Sequence, residues 1–146
     1  VRNAIKSLAE KAPGEIEGYL VQPHVSGNRE FVAGLFRDEQ FGPVVMFGMG
    51  GVFVVVFVDV VFRMAPICRE EAYEMIEQSK GYTLLKGLRG ERPYDIPALA
   101  KALERFSVLL ADFPEITELE LNPVKLLYGG EGLVAVDGTI RTAQMH

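Results

Sequence analysis

Residues 120–138 read ELNPVKLLYGGEGLVAVDG and predict a β-hairpin. The adjacent glycines Gly129 and Gly130 favour a two-residue loop, because glycine readily supplies the positive φ angles of tight primed turns. Counting outward from this loop places Asn122 opposite Asp137, at the open end of the hairpin. The intermediate pairs are Leu126 with Leu133 and Val124 with Ala135.

The open end of this hairpin carries three oxygen-bearing side chains. Since side chains alternate between the two faces of a strand, Glu120, Asn122 and Asp137 are expected on one side, with opposed Cβ atoms roughly 5 Å apart. Mg²⁺ prefers hard oxygen ligands and needs only one or two from the protein when nucleotide phosphates and water complete its shell. The pattern therefore predicts a magnesium site. Two ordinary turns, at Asn122-Pro123 and Asp137-Gly138, are the alternative.

The composition is that of an ordinary folded domain. The chain has 146 residues, 49% of them hydrophobic and 24% charged, and it is expected to form one domain over residues 1–146. Its net charge of -5 argues against nucleic-acid binding, which relies on many Lys and Arg contacts to phosphate. Cys68 is the single cysteine, so an internal disulfide is excluded, and this usage fits a cytoplasmic protein.

The stretch 43–62 is long and apolar enough to be weighed as a membrane span. Three glycines interrupt it, Asp59 lies within it, and its Val and Phe content favours strands over a helix. We therefore expect two buried strands, Val44–Phe47 and Val52–Val58, and no membrane segment. The second strand has no polar alternation, which is typical of a central strand that is covered on both faces.

Hydrophobic periodicity predicts a chain of mixed helices and strands. The clearest helix begins near Ile96, with Asp95 as its N-cap and an apolar stripe at three- and four-residue spacing that reaches Leu110. This mixture suggests an α+β architecture in which two helices cover one face of a largely antiparallel sheet. The other expected elements are helices over 2–11 and 69–79 and strands near 17–24, 29–37, 43–47, 52–58, 60–65 and 116–121.

Six segments share the order and spacing of one known family. They are FGPVVMFGMGG at 41–51, DV at 59–60, FRMAP at 62–66, LLKGLRG at 84–90, LELNP at 119–123 and AVD at 135–137. Together they closely resemble the ATP-grasp domain of NDP-forming acyl-CoA synthetases, which are related to the β subunit of succinyl-CoA synthetase. The resemblance runs from about Gly18 to Ile140 and covers the C-terminal lobe of that domain.

The resemblance implies a role for each hairpin residue. Asn122 and Asp137 match the asparagine and aspartate that hold the Mg²⁺ of the nucleotide. Glu120 matches the glutamate that meets a phosphorylated histidine arriving from the partner half. The implied reaction transfers a phosphoryl group between that histidine and ADP or ATP while an acyl-CoA is formed or cleaved. The implied cofactors are Mg²⁺ and ATP or ADP, and the implied partner is a CoA-binding half or subunit.

The resemblance covers only part of that machinery. The first ATP-grasp lobe and the CoA-binding half lie outside it, so the lobe by itself is expected to bind nucleotide weakly and to be catalytically inactive. Self-association is a further expectation, because a lobe without its neighbour can expose an apolar patch that seeks a partner.

Three further residues are candidates for nucleotide binding. Gly50 and Gly51 would let backbone N–H groups approach a phosphate, although a tight turn explains adjacent glycines equally simply. Arg63 suits a phosphate because its guanidinium fork matches oxyanions. The alternative for Arg63 is an ion pair with Asp59, which lies four residues earlier and on the same strand face.

Two positions depart from the family pattern. An acidic residue and a basic residue are expected near the glycines, and this chain has Val55 and Val58 there. Two functions therefore stay open. The first is the nucleotide-binding lobe of an acyl-CoA synthetase, and the second is a degenerate regulatory module, such as the synthetase-like region fused to a protein acetyltransferase.

Overall fold

The computed structural model describes residues 1–26, 29–50, 59–88 and 90–143. These ranges contain both helices and strands. The helices are α1 (Arg2–Lys11), α2 (Arg69–Gln78), α3 (Tyr82–Leu85), α4 (Ile96–Ser107) and α5 (Leu109–Asp112), and the strands are β1 (Glu30–Asp38), β2 (Gly42–Met49), β3 (Val60–Met64), β4 (Ile116–Leu126), β5 (Leu133–Ala135) and β6 (Gly138–Thr142).

The strands form a single antiparallel sheet with the order β3-β2-β1-β4-β5. Strand β6 also pairs with β4, beyond the end of β5, so that β5 and β6 together line one edge of β4. Strand β1 pairs along the other edge of β4. Because β4 is hydrogen-bonded on both sides, it fixes the position of the C-terminal hairpin relative to the rest of the sheet.

Two helices cover one face of this sheet, as the apolar patterning predicts. Helices α2 and α4 pack against each other and against the buried side chains of β1 and β2. Phe31 and Phe47 stack there with ring centroids 5.4 Å apart. Burying each side chain of this size contributes roughly 1.5–3 kcal/mol, so this layer supplies most of the driving force for folding. Its fully buried members include Leu35, Val45, Met75, Ile76 and Leu103.

Helix α4 begins where the sequence predicts. The Asp95 carboxylate accepts a hydrogen bond from the Ala98 N–H at 3.1 Å, which satisfies one of the free donors at the helix start. The helix stops at Val108, and α5 continues the apolar stripe with the buried side chain of Leu110. The predicted stripe therefore covers two helices rather than one.

Of two further strands expected from the sequence, one is absent and one lies outside the described residues. The strand near 17–24 is wrong, because residues 12–26 form neither helix nor strand. Leu20 and Val21 are exposed there and line an apolar groove of about 760 Å³ against α1. A strand needs a neighbour to pair with, which local propensity does not supply. The expected strand Val52–Val58 lies outside the described residues. Within the described ranges, no helix has the length and apolar character needed to cross a bilayer.

A buried hydroxyl joins α4 to the connection between β3 and α2. Ser107 is 1% exposed, accepts from the Ile67 N–H at 3.0 Å and donates to the Glu104 carbonyl at 2.7 Å. Ile67 is itself buried, so water cannot replace the serine as an acceptor. This single side chain therefore satisfies a donor that would otherwise be buried without a partner.

We expect Ser107→Ala to lower the free energy of unfolding by about 1–3 kcal/mol, because the buried Ile67 N–H loses its acceptor. Urea denaturation followed by circular dichroism measures this change. The exposed Ser26 loses the same atoms in Ser26→Ala and should change stability by less than about 0.5 kcal/mol. Equal stabilities of the two variants would contradict the assigned role of Ser107.

Candidate metal and nucleotide site

A β-bulge lies at the centre of the candidate site. Phe31 of β1 faces Val124 of β4, whereas Ala33 faces Leu121, so two residues of β4 stand opposite one residue of β1. These two residues are Asn122 and Pro123. A proline cannot donate to a ladder and is tolerated in a strand at a bulge, so Asn-Pro within a strand is the sequence signal for this feature.

The bulge changes which side chains of β4 enter the core. Leu119, before it, and Val124, after it, are both buried although their numbers differ by an odd count. Regular alternation would place one of these two on the opposite face. The extra residue thus keeps both apolar halves of β4 against the helices while leaving Asn122 exposed.

The predicted hairpin register is confirmed. Val124 faces Ala135 and Leu126 faces Leu133. The Asn122 N–H donates to the Asp137 carbonyl at 3.1 Å, so these two residues lie opposite each other at the open end. The bulge does not disturb this pairing because it is a mismatch with β1 on the other edge of β4.

The turn itself differs from the expected primed type. The Glu131 N–H donates to the Tyr128 carbonyl at 2.8 Å, which closes the predicted two-residue loop. Of the two loop glycines, Gly130 has a positive φ of 84° and Gly129 does not. A positive φ at the second loop position alone is the pattern of a type II turn. The expectation of positive φ at both glycines, or at the first one, is therefore wrong.

The structure brings Glu120 and Asn122 into direct contact. The amide Nδ2 of Asn122 donates to Glu120 Oε1 at 3.0 Å. Asp137 is exposed, and its Oδ1 accepts from the N–H of Gly138 at 2.8 Å. The remaining oxygens of Asn122 and Asp137 are hard ligands on facing positions, which fits Mg²⁺ with its small demand for protein ligands. Among the described residues, no group of three or more His, Cys, Asp or Glu side chains could hold a metal ion.

These residues lie on the open face of the sheet, away from α2 and α4. Glu120 stands beside Gly34 of β1, next to the buried Leu119 and Leu35 that point to the helices. The same open face carries Phe62 and Met64 on β3, which are 51% and 66% exposed. The candidate site therefore lies on the sheet face that α2 and α4 leave uncovered.

Arg63 lies on the opposite face of the sheet. Its guanidinium donates to Gln78 of α2 at 2.7 Å, so it points into the helix layer. Asp59 shares this face, as predicted, but its carboxylate accepts from the backbone N–H groups of Lys80 and Gly81 at 2.8 and 3.0 Å. The structure does not bring Arg63 together with Glu120 and Asn122, and the described contacts include no Asp59–Arg63 ion pair.

Gly50 packs closely against β1. Its N–H donates to the Glu30 carbonyl at 2.7 Å, and a Cβ at this position would lie 2.8 Å from the Phe31 nitrogen. This close approach of two backbones requires glycine whether or not a phosphate binds nearby. Gly51, the other predicted glycine, lies outside the described residues, as do Val55 and Val58.

Asp95 connects helix α4 to the hairpin loop. Beyond capping the helix, its Oδ2 accepts from the N–H groups of Gly130 and Gly132 at 2.9 and 3.0 Å. Burial by itself would raise the pKa of this carboxyl, but the hydrogen bonds from Ala98, Gly132 and Gly130 outweigh it and lower the pKa below its ordinary value. The helix cap is evident in the sequence, whereas the contact with the loop is not.

The chain is an ATP-grasp domain. The model of that domain family matches residues 1–142, so the chain belongs to this family. The match confirms the resemblance inferred from the motifs. The chain is further similar to ADP-forming acetate–CoA ligases.

Two relatives illustrate the similarity. Acetate–CoA ligase [ADP-forming] I of Archaeoglobus fulgidus is 55% identical over 119 residues, which cover 82% of this chain and 17% of the relative. The β subunit of acetate–CoA ligase [ADP-forming] I of Pyrococcus furiosus is 44% identical over 128 residues, or 84% of this chain and 55% of that subunit. The chain therefore spans about half the length of the subunit and a sixth of the longer enzyme.

Solved structures of one related protein share the fold. The apo form of dinucleotide-forming acetyl-coenzyme A synthetase 1 from Candidatus Korarchaeum cryptofilum superposes with a TM-score of 0.83 at 44% identity, covering 97% of this chain and 65% of that one. This likeness confirms the predicted fold class. The same protein is known in complex with coenzyme A and Mg-AMPPCP, with a TM-score of 0.75 over 82% of this chain and 55% of that one.

Asp95→Asn is expected to lower the free energy of unfolding by about 1–3 kcal/mol near neutral pH, because an amide nitrogen would face the N–H groups of Gly130 and Gly132. The folded-state pKa of Asp95 is depressed, so its stabilising effect is present above its ordinary pKa of 3.8 and is lost as the pH falls through the folded value. The stability difference between wild type and variant should therefore shrink in acid.

Urea denaturation at a series of pH values from 7 to about 2 tests this expectation. The series extends into acid because the pKa of Asp95 is lowered in the folded protein. The exposed Asp112, at the end of α5, provides the matched control Asp112→Asn, which should change stability little at any pH. A difference between wild type and Asp95→Asn that stays constant into acid would contradict the assignment.

Proposed function

We propose that this chain is the nucleotide- and Mg²⁺-binding C-terminal lobe of an NDP-forming acyl-CoA synthetase. The observation that carries the proposal is the facing pair of Asn122 and Asp137, whose opposition rests on a hydrogen bond of 3.1 Å between their backbones. The 55% identity with an ADP-forming acetate–CoA ligase supports the enzyme class.

Each residue of the site has a distinct part in this proposal. The side-chain oxygens of Asn122 and Asp137 would hold Mg²⁺ for the phosphates of ADP or ATP. Mg²⁺ held there would offset negative charge during phosphoryl transfer. Glu120 stands beside Asn122 on the same exposed face, where a phosphohistidine from a partner can reach it. No cation is needed from Arg63, which faces the helices.

The proposed partner is a CoA-binding half or subunit that carries the phosphorylated histidine. Two observations support it. The relative in Pyrococcus furiosus is a β subunit, which implies a companion subunit in that enzyme. The structure from Candidatus Korarchaeum cryptofilum with Mg-AMPPCP is described with its phosphohistidine segment pointing towards the nucleotide binding site. The open sheet face around Glu120 is the surface on which such a segment would arrive.

The second candidate is a regulatory module that keeps the fold and lacks the chemistry. Val55 and Val58 favour it, since both positions carry charged residues in the family pattern. The two candidates differ in one measurable property. An enzyme lobe has to bind Mg-nucleotide through Asn122 and Asp137, whereas a degenerate module has no need to bind it.

We expect Asn122→Ala and Asp137→Ala to weaken binding of Mg-ADP to the chain by about tenfold or more, because each removes one oxygen ligand of the metal. Isothermal titration calorimetry at high protein concentration measures this binding. The control is Glu118→Gln on the same strand, whose exposed carboxylate pairs with Arg141 at 3.3 Å and should affect binding less than twofold.

Binding that is unaffected by both site substitutions would refute the metal assignment. Undetectable binding of Mg-ADP to the wild-type chain, both alone and together with a CoA-binding subunit, would favour the regulatory module. We also expect no ATP turnover by the chain alone. Full turnover by the chain would contradict the proposal that a partner supplies the phosphohistidine.

A further inference from the structure

The contact between Glu120 and Asn122 has a defined direction. A primary amide has a donor end and an acceptor end, and the nitrogen of Asn122 is the end that meets Glu120 Oε1, at 3.0 Å. The carbonyl oxygen Oδ1 of Asn122 is therefore turned away from Glu120. A metal accepts the oxygen as a ligand and not the NH2 group. The direction of this hydrogen bond thus decides whether Asn122 can act as a ligand.

An ionised carboxylate selects one of the two amide orientations. If the amide of Asn122 were turned by 180°, Oδ1 would face an oxygen of Glu120 with no proton between them, since an ionised carboxylate only accepts hydrogen bonds. Asn122 is exposed, so the helix layer does not restrict this rotation. The carboxylate of Glu120 provides the restriction that packing does not.

The surroundings of Glu120 leave its carboxylate available for this task. Its neighbours across the sheet are Gly34 on β1 and Thr139 on β6, and neither carries a charge. Glu118, two residues earlier, is instead paired with Arg141 at 3.3 Å. Among the described side-chain contacts, the amide of Asn122 is the partner of Glu120.

We infer that Glu120 is a positioning residue for the metal: it holds the Asn122 amide so that Oδ1 faces the cation. This inference rests on the proposed function, because it takes Asn122 as a metal ligand. It adds to that function a role for Glu120 within this chain, separate from any contact with a phosphohistidine. The same carboxylate then links the metal to the surface where the phosphoryl group arrives.

The test compares two neutral replacements of similar size, Glu120→Gln and Glu120→Met. Both remove the charge. The methionine offers no acceptor, and the glutamine can offer either its carbonyl oxygen or its NH2 group, so neither fixes the direction of the Asn122 amide. Mn²⁺ titrations followed by paramagnetic broadening of NMR signals give the metal affinity. We expect both variants to bind Mn²⁺ about threefold to tenfold more weakly than wild type, the range of one exposed hydrogen bond.

A second background shows whether the effect passes through Asn122. In Asn122→Asp the ligand has two equivalent oxygens and needs no orientation, so Glu120→Gln and Glu120→Met should weaken Mn²⁺ binding less in that background than they do beside Asn122. Without metal, the two amide protons of Asn122 should be well separated in NMR spectra of wild type and should move together in Glu120→Met. The control Glu118→Met should leave both readouts unchanged.

An equal loss of Mn²⁺ affinity from the Glu120 substitutions in both backgrounds would overturn the inference, because the lost charge alone would then explain it. So would Glu120 variants that bind Mn²⁺ as tightly as wild type. Asn122→Ala separates this failure from that of the proposed function. If Asn122→Ala weakens Mn²⁺ binding while the Glu120 substitutions give either of these results, only the positioning role is wrong. If Asn122→Ala has no effect, the proposed metal site fails with it.

Discussion

The structure depends on strand β4 being paired along both of its edges. Strand β1 holds one edge, and the hairpin strands β5 and β6 hold the other. The bulge at Asn122 and Pro123 adds one residue to β4 relative to β1. It does not shift the register of β4 with β5 and β6 on the other edge. Leu119 and Val124 both reach the core as a result. Asn122, one of the two residues at the bulge, is the metal ligand that we propose.

The Asp95 carboxylate joins the helix layer to this hairpin. One of its oxygens caps α4 and the other receives the loop N–H groups of Gly130 and Gly132. The segment before Asp95 adds a bond from the Gly129 N–H to the Pro93 carbonyl at 2.9 Å. A short hairpin is only marginally stable by itself, so these bonds help to hold β5, and with it the Asp137 that follows, in one register.

The two faces of the sheet carry different kinds of residues. The helix-covered face contains the apolar core and also holds Arg63 and Asp59 in contacts with α2 and the turn after it. The open face carries Glu120 and Asn122 and, further along, the exposed Phe62 and Met64. The chemistry that we propose for the open face therefore does not compete with the packing that stabilises the fold.

The sequence by itself determined the hairpin register, the cap of α4 and the two-helix layer, because each follows from local turn chemistry or from the spacing of apolar residues. It also carried the family motifs. Only the tertiary structure decided that residues 17–24 lack a strand neighbour, that Arg63 faces the helices and that Asp95 reaches the hairpin loop. The orientation of the Asn122 amide belongs to the same group. These features depend on which elements lie side by side, and such contacts between distant residues leave no local pattern in the chain.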